Sequence, residues 1–170
     1  MGRDKASLPY RGQTLLSHMR ALGAEAGAAP ILIGGGASAD LPDPVAGAGP
    51  VASLCALAQY VSETSGPLRW VVVPVDMPLV TPRLLGLLAQ APGDAAAFAD
   101  HPLPVGLTFT KSTLAVFASI RPHLSQERSL AVREVLQRLN ARTLNVDPDT
   151  LSQLRNVNTP EEWSRLNDRS

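Results

Sequence analysis

The stretch Trp70-Val-Val-Val-Pro-Val-Asp76 is the strongest strand signal in the chain, and it decides the fold. Its run of valines is typical of a strand that is buried on both faces of a sheet. Pro74 cannot donate a hydrogen bond to a neighbouring strand, so we expect the strand to end or become irregular there. Ligands of α/β sheets bind outside the carboxyl ends of the strands, and Asp76 is therefore predicted to lie at a ligand crevice.

Helix and strand patterns alternate on both sides of this stretch. We expect no strand before Tyr10, a helix over 15–22 that Gly23 ends, and a capping box, Thr159-Pro-Glu-Glu162, that opens the last helix. The other predicted strands are 30–33 (leading into a loop at 34–36), 95–99, 105–110 and 142–146, and the other predicted helices are 51–61, 81–88, 112–120 and 129–139. This order predicts an α/β fold with a mostly parallel sheet and helices on both faces, in a single domain of residues 1–170.

The composition excludes several classes of protein. Apolar residues make up 45% of the chain and charged residues 18%, which excludes a mostly disordered protein. Fifteen basic residues balance fifteen acidic ones without a basic stripe, so we expect no nucleic-acid partner. Cys55 is the single cysteine, which excludes an internal disulfide. No apolar run is long enough to span a bilayer, and we expect a cytoplasmic protein without a membrane partner.

Asp76 and Lys5 are the first candidates for chemistry. A carboxylate at the end of an apolar strand is costly to bury without a cation, and Mg²⁺ bridging to phosphate oxygens is a suitable partner. The alternative is that Asp76 caps a turn or helix. Lys5 follows Arg3 and Asp4 and precedes the first helix, where an ammonium can meet a triphosphate. The alternative for this cluster is a solvated terminus.

Two further segments are candidate binding elements. Gly49-Pro50 precedes a helix whose N-terminus favours anions, and Asp43 in the preceding loop can accept a ribose hydroxyl. The alternatives are a simple turn and an Asx turn. Asn156 and Asn158 flank one residue, so in an extended segment both amides point the same way, towards a polar ligand. The alternative for these amides is turn chemistry and capping.

Five short motifs together resemble one family. They are Met1-Gly-Arg-Asp-Lys5 with Leu8, Gly12 and Leu15-Leu16; Asp43 with Gly49-Pro-Val-Ala52; Asp76-Met-Pro-Leu-Val80; His101-Pro102; and Asn156-Val-Asn-Thr-Pro-Glu-Glu162. In this order they resemble the molybdenum cofactor guanylyltransferases, the family of molybdopterin-guanine dinucleotide biosynthesis protein A. The resemblance covers essentially the whole chain.

The resemblance implies a Rossmann-like nucleotidyltransferase fold and a reaction. The phosphate of molybdopterin (Mo-molybdopterin) would attack the α-phosphorus of GTP and release pyrophosphate. Other proteins of molybdenum cofactor biosynthesis and recipient molybdoenzymes would be candidate partners. The implied roles are phosphate contact for Lys5, Mg²⁺ binding for Asp76, the nucleoside site for Asp43, Gly49 and Pro50, and the pterin and phosphate side for Asn156 and Asn158.

The sequence departs from the family in two places. The family opens with a buried strand and a Leu-Ala-Gly-Gly-x-x-x-Arg loop before the Met-Gly pair, so we expect this chain to lack both and to transfer nucleotide poorly. Ser53 stands where the family often has glycine, and Ser53-Leu54 is slightly closer to the cytidylyltransferase relatives. The alternatives are therefore a molybdenum cofactor cytidylyltransferase, another nucleotidyltransferase of the same fold, and a catalytically degenerate nucleotide- or pterin-binding protein. The Asn-Val-Asn ending favours guanine.

Overall fold

Helices and short strands make up most of residues 5–36, 39–65, 68–125 and 130–167, which are the residues that the computed structural model describes. The strands are β1 Pro9–Tyr10, β2 Gln13–Thr14, β3 Gly34–Gly35, β4 Leu41–Pro42, β5 Arg69–Val72, β6 Ala95–Phe98, β7 His101–Thr108 and β8 Arg142–Leu144. The α-helices are α1 Leu15–Glu25, α2 Pro50–Glu63, α3 Pro82–Gln90, α4 Lys111–Ile120, α5 Val132–Arg138, α6 Pro148–Leu151 and α7 Pro160–Asn167. Within these described ranges, no helix combines the length and the apolar character that crossing a membrane requires.

The chain divides into two units. The first comprises Met1–Ile31, Val73–Leu87 and Asn145–Ser170, and the second comprises Leu32–Val72 and Leu88–Leu144. The assignment of residues 1–170 to one domain stays a prediction.

The second unit contains a four-stranded sheet in the order β5-β7-β6-β8. β5, β6 and β8 run in one direction, as expected for a mostly parallel sheet, but β7 runs against them between β5 and β6. The expectation of mostly parallel pairing is therefore corrected, since β6–β8 is the one parallel ladder of this sheet. The reason is local: the turn at Ala99 and Asp100, with Asp100 at φ +61°, joins β6 directly to β7, and so tight a connection requires antiparallel strands.

The core of the second unit follows the predicted periodicity. α2 buries the predicted stripe, and it begins and ends two residues or fewer from the predicted bounds. All four residues of β6 are buried, and its run of alanines lets other elements pack closely on it. The predicted members of the α2 stripe that are buried are Val51, Leu54, Cys55, Ala58 and Val61.

The first helix runs past its predicted end. α1 continues through Gly23 to Glu25 and stops at Gly27, which has φ +79°. The N–H of Ala28 donates to the oxygen of Gly23, and the N–H of Gly27 donates to the oxygen of Ala24. This is a Schellman ending, which needs a left-handed residue after the cap, so the glycine that ends the helix is Gly27.

The predicted strand at 30–33 is wrong, and the strand lies in the predicted glycine loop instead. Gly34–Gly35 pairs in parallel with Leu41–Pro42. Pro30 has no N–H to donate, and the N–H of Ile33 donates to the side chain of Asp40 at 2.8 Å rather than to a neighbouring strand. The apolar run therefore leads into a two-residue ladder and does not itself form one.

The N-terminal part of the first unit differs from the prediction. β1 and β2 form a hairpin where no strand was expected; its turn is Arg11-Gly12, with φ +48° and +78°. Positive φ at both central residues is the signature of a type I′ turn, which glycine favours.

The capping box at α7 is confirmed, because Glu162 N–H donates to Thr159 Oγ1 at 3.2 Å and Glu162 Oε2 accepts the Thr159 N–H at 3.2 Å.

Two predictions extend beyond the described residues. α5 begins at Val132, three positions after the predicted start at Ser129, which lies outside the described ranges. The charged residues Arg3 and Asp4 of the N-terminal motif also lie outside them.

Candidate active site

A cation, a carboxylate and two amides meet in the first unit. Lys5 Nζ lies 2.8 Å from Asp76 Oδ2 and 2.8 Å from Asn158 Oδ1. Asn156 Nδ2 donates to Asp76 Oδ1 at 3.2 Å. The structure thus brings together four of the seven residues that the sequence singled out, although they are up to 153 positions apart.

Asp76 is held by a pair of turns that follow β5. Met77 N–H donates to the oxygen of Pro74 at 3.3 Å, and Val80 N–H donates to the oxygen of Met77 at 3.2 Å. Met77 and Val80 are buried, which anchors the backbone of these turns. The Asp76 side chain is 16% exposed, and the hydrogen bonds it accepts come from the side chains of Lys5 and Asn156.

The two asparagines are placed by the residue between them. Val157 is buried, and its N–H donates to the backbone oxygen of Asp76 at 2.8 Å. Since alternate residues of an extended segment point the same way, this one bond turns both flanking amides towards the Lys5–Asp76 pair, as the alternation predicted. The backbone N–H of Asn158 donates to Glu162 Oε2 at 2.9 Å, which ties the segment to the start of α7.

Lys5 sits at the start of a 3-10 turn, Lys5–Ser7. Leu8 N–H donates to the oxygen of Lys5 at 3.2 Å, and Leu15 N–H at the start of α1 donates to the oxygen of Leu8 at 2.8 Å. The backbone of Lys5 is therefore connected through Leu8 to the start of α1, while the Lys5 side chain remains 31% exposed. An ammonium has three N–H bonds, and with two of them directed at Asp76 and Asn158, one is left for a ligand oxygen.

The oxygen atoms of this cluster suit a hard divalent cation. Asp76 offers a carboxylate and Asn158 an amide oxygen, the ligand types that Mg²⁺ prefers. Among the described residues no group of three or more His, Cys, Asp or Glu side chains is placed to hold a metal ion. A metal ion bound at Asp76 would therefore complete its coordination with phosphate oxygens and water, as Mg²⁺ does in phosphoryl-transfer sites.

The other three predicted residues lie in the second unit. Asp43 N–H donates to the oxygen of Gly35 at 2.8 Å, which fixes Asp43 next to the β3–β4 ladder. Gly49 is the N-cap of α2 with φ +78°, a backbone conformation that favours glycine, and Pro50 is the first helical residue. The N-terminus of α2 has no side-chain cap, Pro50 has no N–H, and the Ala52 N–H donates to the oxygen of Gly49 at 3.0 Å, so the Val51 N–H is the one in this turn that can donate to an anion.

Ser53 is a partner of this group that sequence reasoning did not find. Its hydroxyl donates to Asp43 Oδ1 at 2.6 Å. The sequence marked Ser53 only as a departure from a family pattern. A hydrogen bond between residues ten positions apart, one in a loop and one in a helix, leaves no periodic pattern in the sequence. The one available signal was that Ser53 lies in the first turns of α2, close to the Asp43 loop.

A cleft of about 440 Å³ lies in the second unit, between the β6–β7 turn and α5. Arg133 Nη2 donates to the backbone oxygen of Asp100 at its rim, at 2.8 Å. Its lining does not include any of the seven predicted site residues. The side chains that line it include His101, Arg133, Gln137, Asn140 and Arg142.

Two solved structures share the fold of this chain. One is 2-C-methyl-D-erythritol 4-phosphate cytidylyltransferase from Thermus thermophilus, with a TM-score of 0.68 and 18% identity, covering 97% of this chain and 93% of that one. The other is molybdopterin-guanine dinucleotide biosynthesis protein A from Archaeoglobus fulgidus, with a TM-score of 0.66 and 20% identity, covering 99% and 91%. The predicted Rossmann-like nucleotidyltransferase fold is confirmed.

Sequence relatives narrow the family. A molybdenum cofactor guanylyltransferase of Xanthomonas euvesicatoria pv. vesicatoria is 36% identical over 169 residues, which cover 98% of this chain and 87% of the relative. A probable molybdenum cofactor guanylyltransferase of Opitutus terrae is 29% identical over 180 residues, covering 97% and 87%. Residues 1–143 match the family described as MobA-like NTP transferase domain. The chain therefore belongs to the MobA-like NTP transferase family, and it is a nucleotidyltransferase.

Proposed function

We propose that this chain transfers GMP from GTP to molybdopterin and releases pyrophosphate. The observation that carries the proposal is the Lys5–Asp76 pair with Asn156 and Asn158 bonded to it. One sequence relative is named molybdenum cofactor guanylyltransferase and the other probable molybdenum cofactor guanylyltransferase, and the motifs that supply these four residues occur here in the order of that family.

The reaction requires positioning and charge neutralisation rather than a covalent catalyst. An oxygen of the molybdopterin phosphate forms a bond to the α-phosphorus of GTP. The bond from the α-phosphorus to the bridging oxygen of the β-phosphate breaks, and pyrophosphate leaves with that electron pair. Lys5 directs its remaining N–H at a phosphate oxygen and neutralises part of the charge that develops there. Asn156 and Asn158 orient the incoming phosphate or pterin through hydrogen bonds.

Nucleotidyltransferases of this family depend in general on a divalent metal ion, and we propose Mg²⁺ held by Asp76. Bound there, it would supply positive charge that neutralises the phosphates during transfer. Asp76 is suited to this role because its carboxylate is 16% exposed and its partners are exchangeable side chains.

The nucleoside is assigned to the segment around the start of α2. Asp43 accepts a donor of the nucleoside, Gly49 allows close approach to the backbone, and the uncapped helix start at Pro50 favours a phosphate. GTP and molybdopterin are the proposed small-molecule partners, and proteins of cofactor biosynthesis or recipient molybdoenzymes are the proposed protein partners. Because GTP is a cytoplasmic metabolite, the cytoplasm is the proposed site of the reaction.

The test is pyrophosphate release by the purified chain with Mg²⁺, in the presence and absence of molybdopterin, from GTP, CTP and ATP in parallel. We expect release that requires molybdopterin and that is fastest with GTP. Faster release from CTP would reassign the chain as a cytidylyltransferase. Binding of GTP without release from any nucleotide would contradict the proposal and indicate a degenerate binding protein.

A further inference from the structure

Asp43 is held in the second unit through both its backbone and its side chain. Its backbone N–H donates to the oxygen of Gly35 at 2.8 Å, and its Oδ1 accepts the Ser53 hydroxyl at 2.6 Å. Ser53 reaches it from the start of α2, where the helix lies against β3: a Cβ on Gly34 would be 3.6 Å from the Cβ of Ser53. Backbone and side chain of Asp43 are thus held by separate elements.

The serine does something unusual for a helical serine. In helices, serine hydroxyls commonly bond to a carbonyl of the preceding turn. Ser62, on the same helix, does this, donating to the oxygen of Gln59 at 2.7 Å. Ser53 instead donates across the loop to a carboxylate ten residues earlier. A hydrogen bond from a neutral donor to an ionised acceptor is short and strong, and 2.6 Å agrees with that description.

The bond leaves one face of the carboxylate for a ligand. A carboxylate has about four acceptor positions on its two oxygens. Ser53 takes one on Oδ1, and among the described residues Oδ2 has no protein donor. Both side chains are half-buried, so solvent and a ligand can reach the pair. With Oδ1 held, rotation of the carboxylate is restricted and Oδ2 keeps one direction.

We propose that Ser53 is a positioning residue that holds Asp43 so that its carboxylate accepts an N–H or O–H donor of the nucleoside of bound GTP. The proposal rests on the function proposed above. The donor is either the exocyclic amine of guanine or the 2′-hydroxyl of the ribose. Ser53 does not touch the nucleotide; it acts by limiting the orientations that Asp43 samples before binding, and its contribution therefore appears in affinity.

The test is a double-mutant cycle on GTP affinity, measured by titration calorimetry with Mg²⁺, using Ser53→Ala, Asp43→Ala and the two combined. Loss of one such hydrogen bond corresponds to about a fivefold rise in Kd for Ser53→Ala. In the Asp43→Ala background, the further change of Ser53 to Ala is expected to leave Kd unchanged, because the carboxylate on which Ser53 acts is absent. Ser53→Thr keeps the hydroxyl and is expected to restore most of the affinity. Ser62→Ala on the same helix is the matched control.

Two analogues distinguish the donors. Inosine triphosphate lacks the exocyclic amine of guanine, and 2′-deoxy-GTP lacks one ribose hydroxyl. The analogue without the donor that Asp43 accepts is expected to bind the wild type and Ser53→Ala with equal Kd, and the other analogue is expected to keep the difference between them. An unchanged Kd for GTP in Ser53→Ala, or full additivity in the double variant, would overturn the proposal. A wild-type chain that binds GTP but releases no pyrophosphate would overturn the proposed function, while the affinity cycle still decides the role of Ser53.

Discussion

The backbone N–H of Val157 donates to the backbone oxygen of Asp76 at 2.8 Å, and this bond aligns the candidate site. It joins the segment before α7 to the turn after β5, two segments separated by about half of the chain. Because Val157 is buried, the asparagines on either side of it point together at the Lys5–Asp76 pair. The main chain thus directs both amides to the pair, and their side-chain hydrogen bonds to Lys5 and Asp76 complete the arrangement.

Replacing Asp76 by Asn tests the carboxylate with almost no change of shape. The neutral amide cannot balance the charge of Lys5, and its oxygen binds a divalent cation more weakly than a carboxylate does, so we expect pyrophosphate release to fall by about a hundredfold or more, with the folded structure kept. The measurement is the initial rate with GTP, molybdopterin and Mg²⁺, together with the unfolding temperature. Asp149→Asn, an exposed substitution on α6, is the control and should keep the wild-type rate. A rate for Asp76→Asn within a few-fold of wild type would remove Asp76 from the chemistry.

Replacing Asn158 by Ala tests whether its amide contacts molybdopterin or GTP. Loss of one hydrogen bond to a substrate corresponds to a rise of about tenfold in KM for molybdopterin, and we expect KM for GTP to change much less. Steady-state kinetics with each substrate varied in turn supply both constants. Asn145→Ala, on an exposed residue, is the control. An equal or larger rise in KM for GTP would place Asn158 on the nucleotide side instead.

Replacing glycine by alanine is expected to change the free energy of unfolding in opposite directions at Gly106 and at Gly86. A Cβ on Gly106 in β7 would meet the oxygen of Leu88 at 2.5 Å and Nη2 of Arg69 at 2.7 Å. Gly106→Ala must therefore displace the Arg69 guanidinium from Leu88, and we expect a loss of about 2–3 kcal/mol in the free energy of unfolding. A Cβ on Gly86 in α3 meets nothing within 4 Å, so Gly86→Ala should stabilise by about 0.5–1 kcal/mol. Denaturant unfolding measures both, and a neutral Gly106→Ala would contradict the packing of β7 described above.

Glu162 makes the start of α7 sensitive to acid. The backbone N–H of Asn158, and then that of Thr159, holds the pKa of this carboxyl below its ordinary 4.5. A pKa that is lower in the folded state stabilises above the unfolded value, and the stabilisation is lost as the pH falls through the folded pKa. Glu162→Gln should therefore be less stable than wild type at neutral pH, and the difference should shrink below pH 4.5. Thermal unfolding followed by the fluorescence of the two tryptophans, Trp70 and Trp163, measures this.

The control for Glu162 is Glu161→Gln, which removes the neighbouring charge in the first turn of α7 and leaves the Glu162 hydrogen bonds to Asn158 and Thr159 intact. If the difference between wild type and Glu162→Gln stays constant across the acid range, the capping bonds do not depend on the charge of the carboxylate.

Cys55 is expected to be inert in the folded protein. Burial on α2 raises the pKa of its thiol to about 11, and the positive charge of Arg121 offsets only part of this. At mildly alkaline pH the thiolate fraction should be about a hundredfold below that of a thiol with the ordinary pKa, and reaction with an aromatic disulfide reagent should be slower by at least that factor. The comparison is between the native and the denatured chain. Fast, complete reaction of the native chain would mean that the first turns of α2 open readily.

The sequence predicts the elements that rest on local patterns. The apolar stripe of α2 repeats with the helical period, and the valines before Pro74 are typical of a strand, so both elements were located within two residues. The expected burial of the strand on both faces is corrected, because Val71 and Val72 are half-buried. The end of α1 was predicted wrongly because either Gly23 or Gly27 could end a helix as judged from the sequence alone. Gly27 has the positive φ that ends this helix, and that conformation depends on the chain after the helix.

Long-range relationships could not be read from patterns of this kind. The antiparallel insertion of β7 depends on which strands pair, and pairing between strands carries little local signal. Lys5, Asp76, Asn156 and Asn158 were each singled out, but their contacts depend on turns that bring three distant segments together. The bond from Ser53 to Asp43 is of the same kind, and it was not predicted.

We propose that the Lys5–Asp76–Asn156–Asn158 cluster carries the transfer of GMP to molybdopterin. The most direct measurement is the mass of the pterin product after incubation of the chain with Mg²⁺, molybdopterin and an equimolar mixture of GTP and CTP, for wild type and Asp76→Asn side by side. We expect wild type to yield molybdopterin carrying one GMP, with little CMP adduct, and Asp76→Asn to yield neither. A predominant CMP adduct, or the GMP adduct formed by Asp76→Asn as fast as by wild type, would contradict this claim.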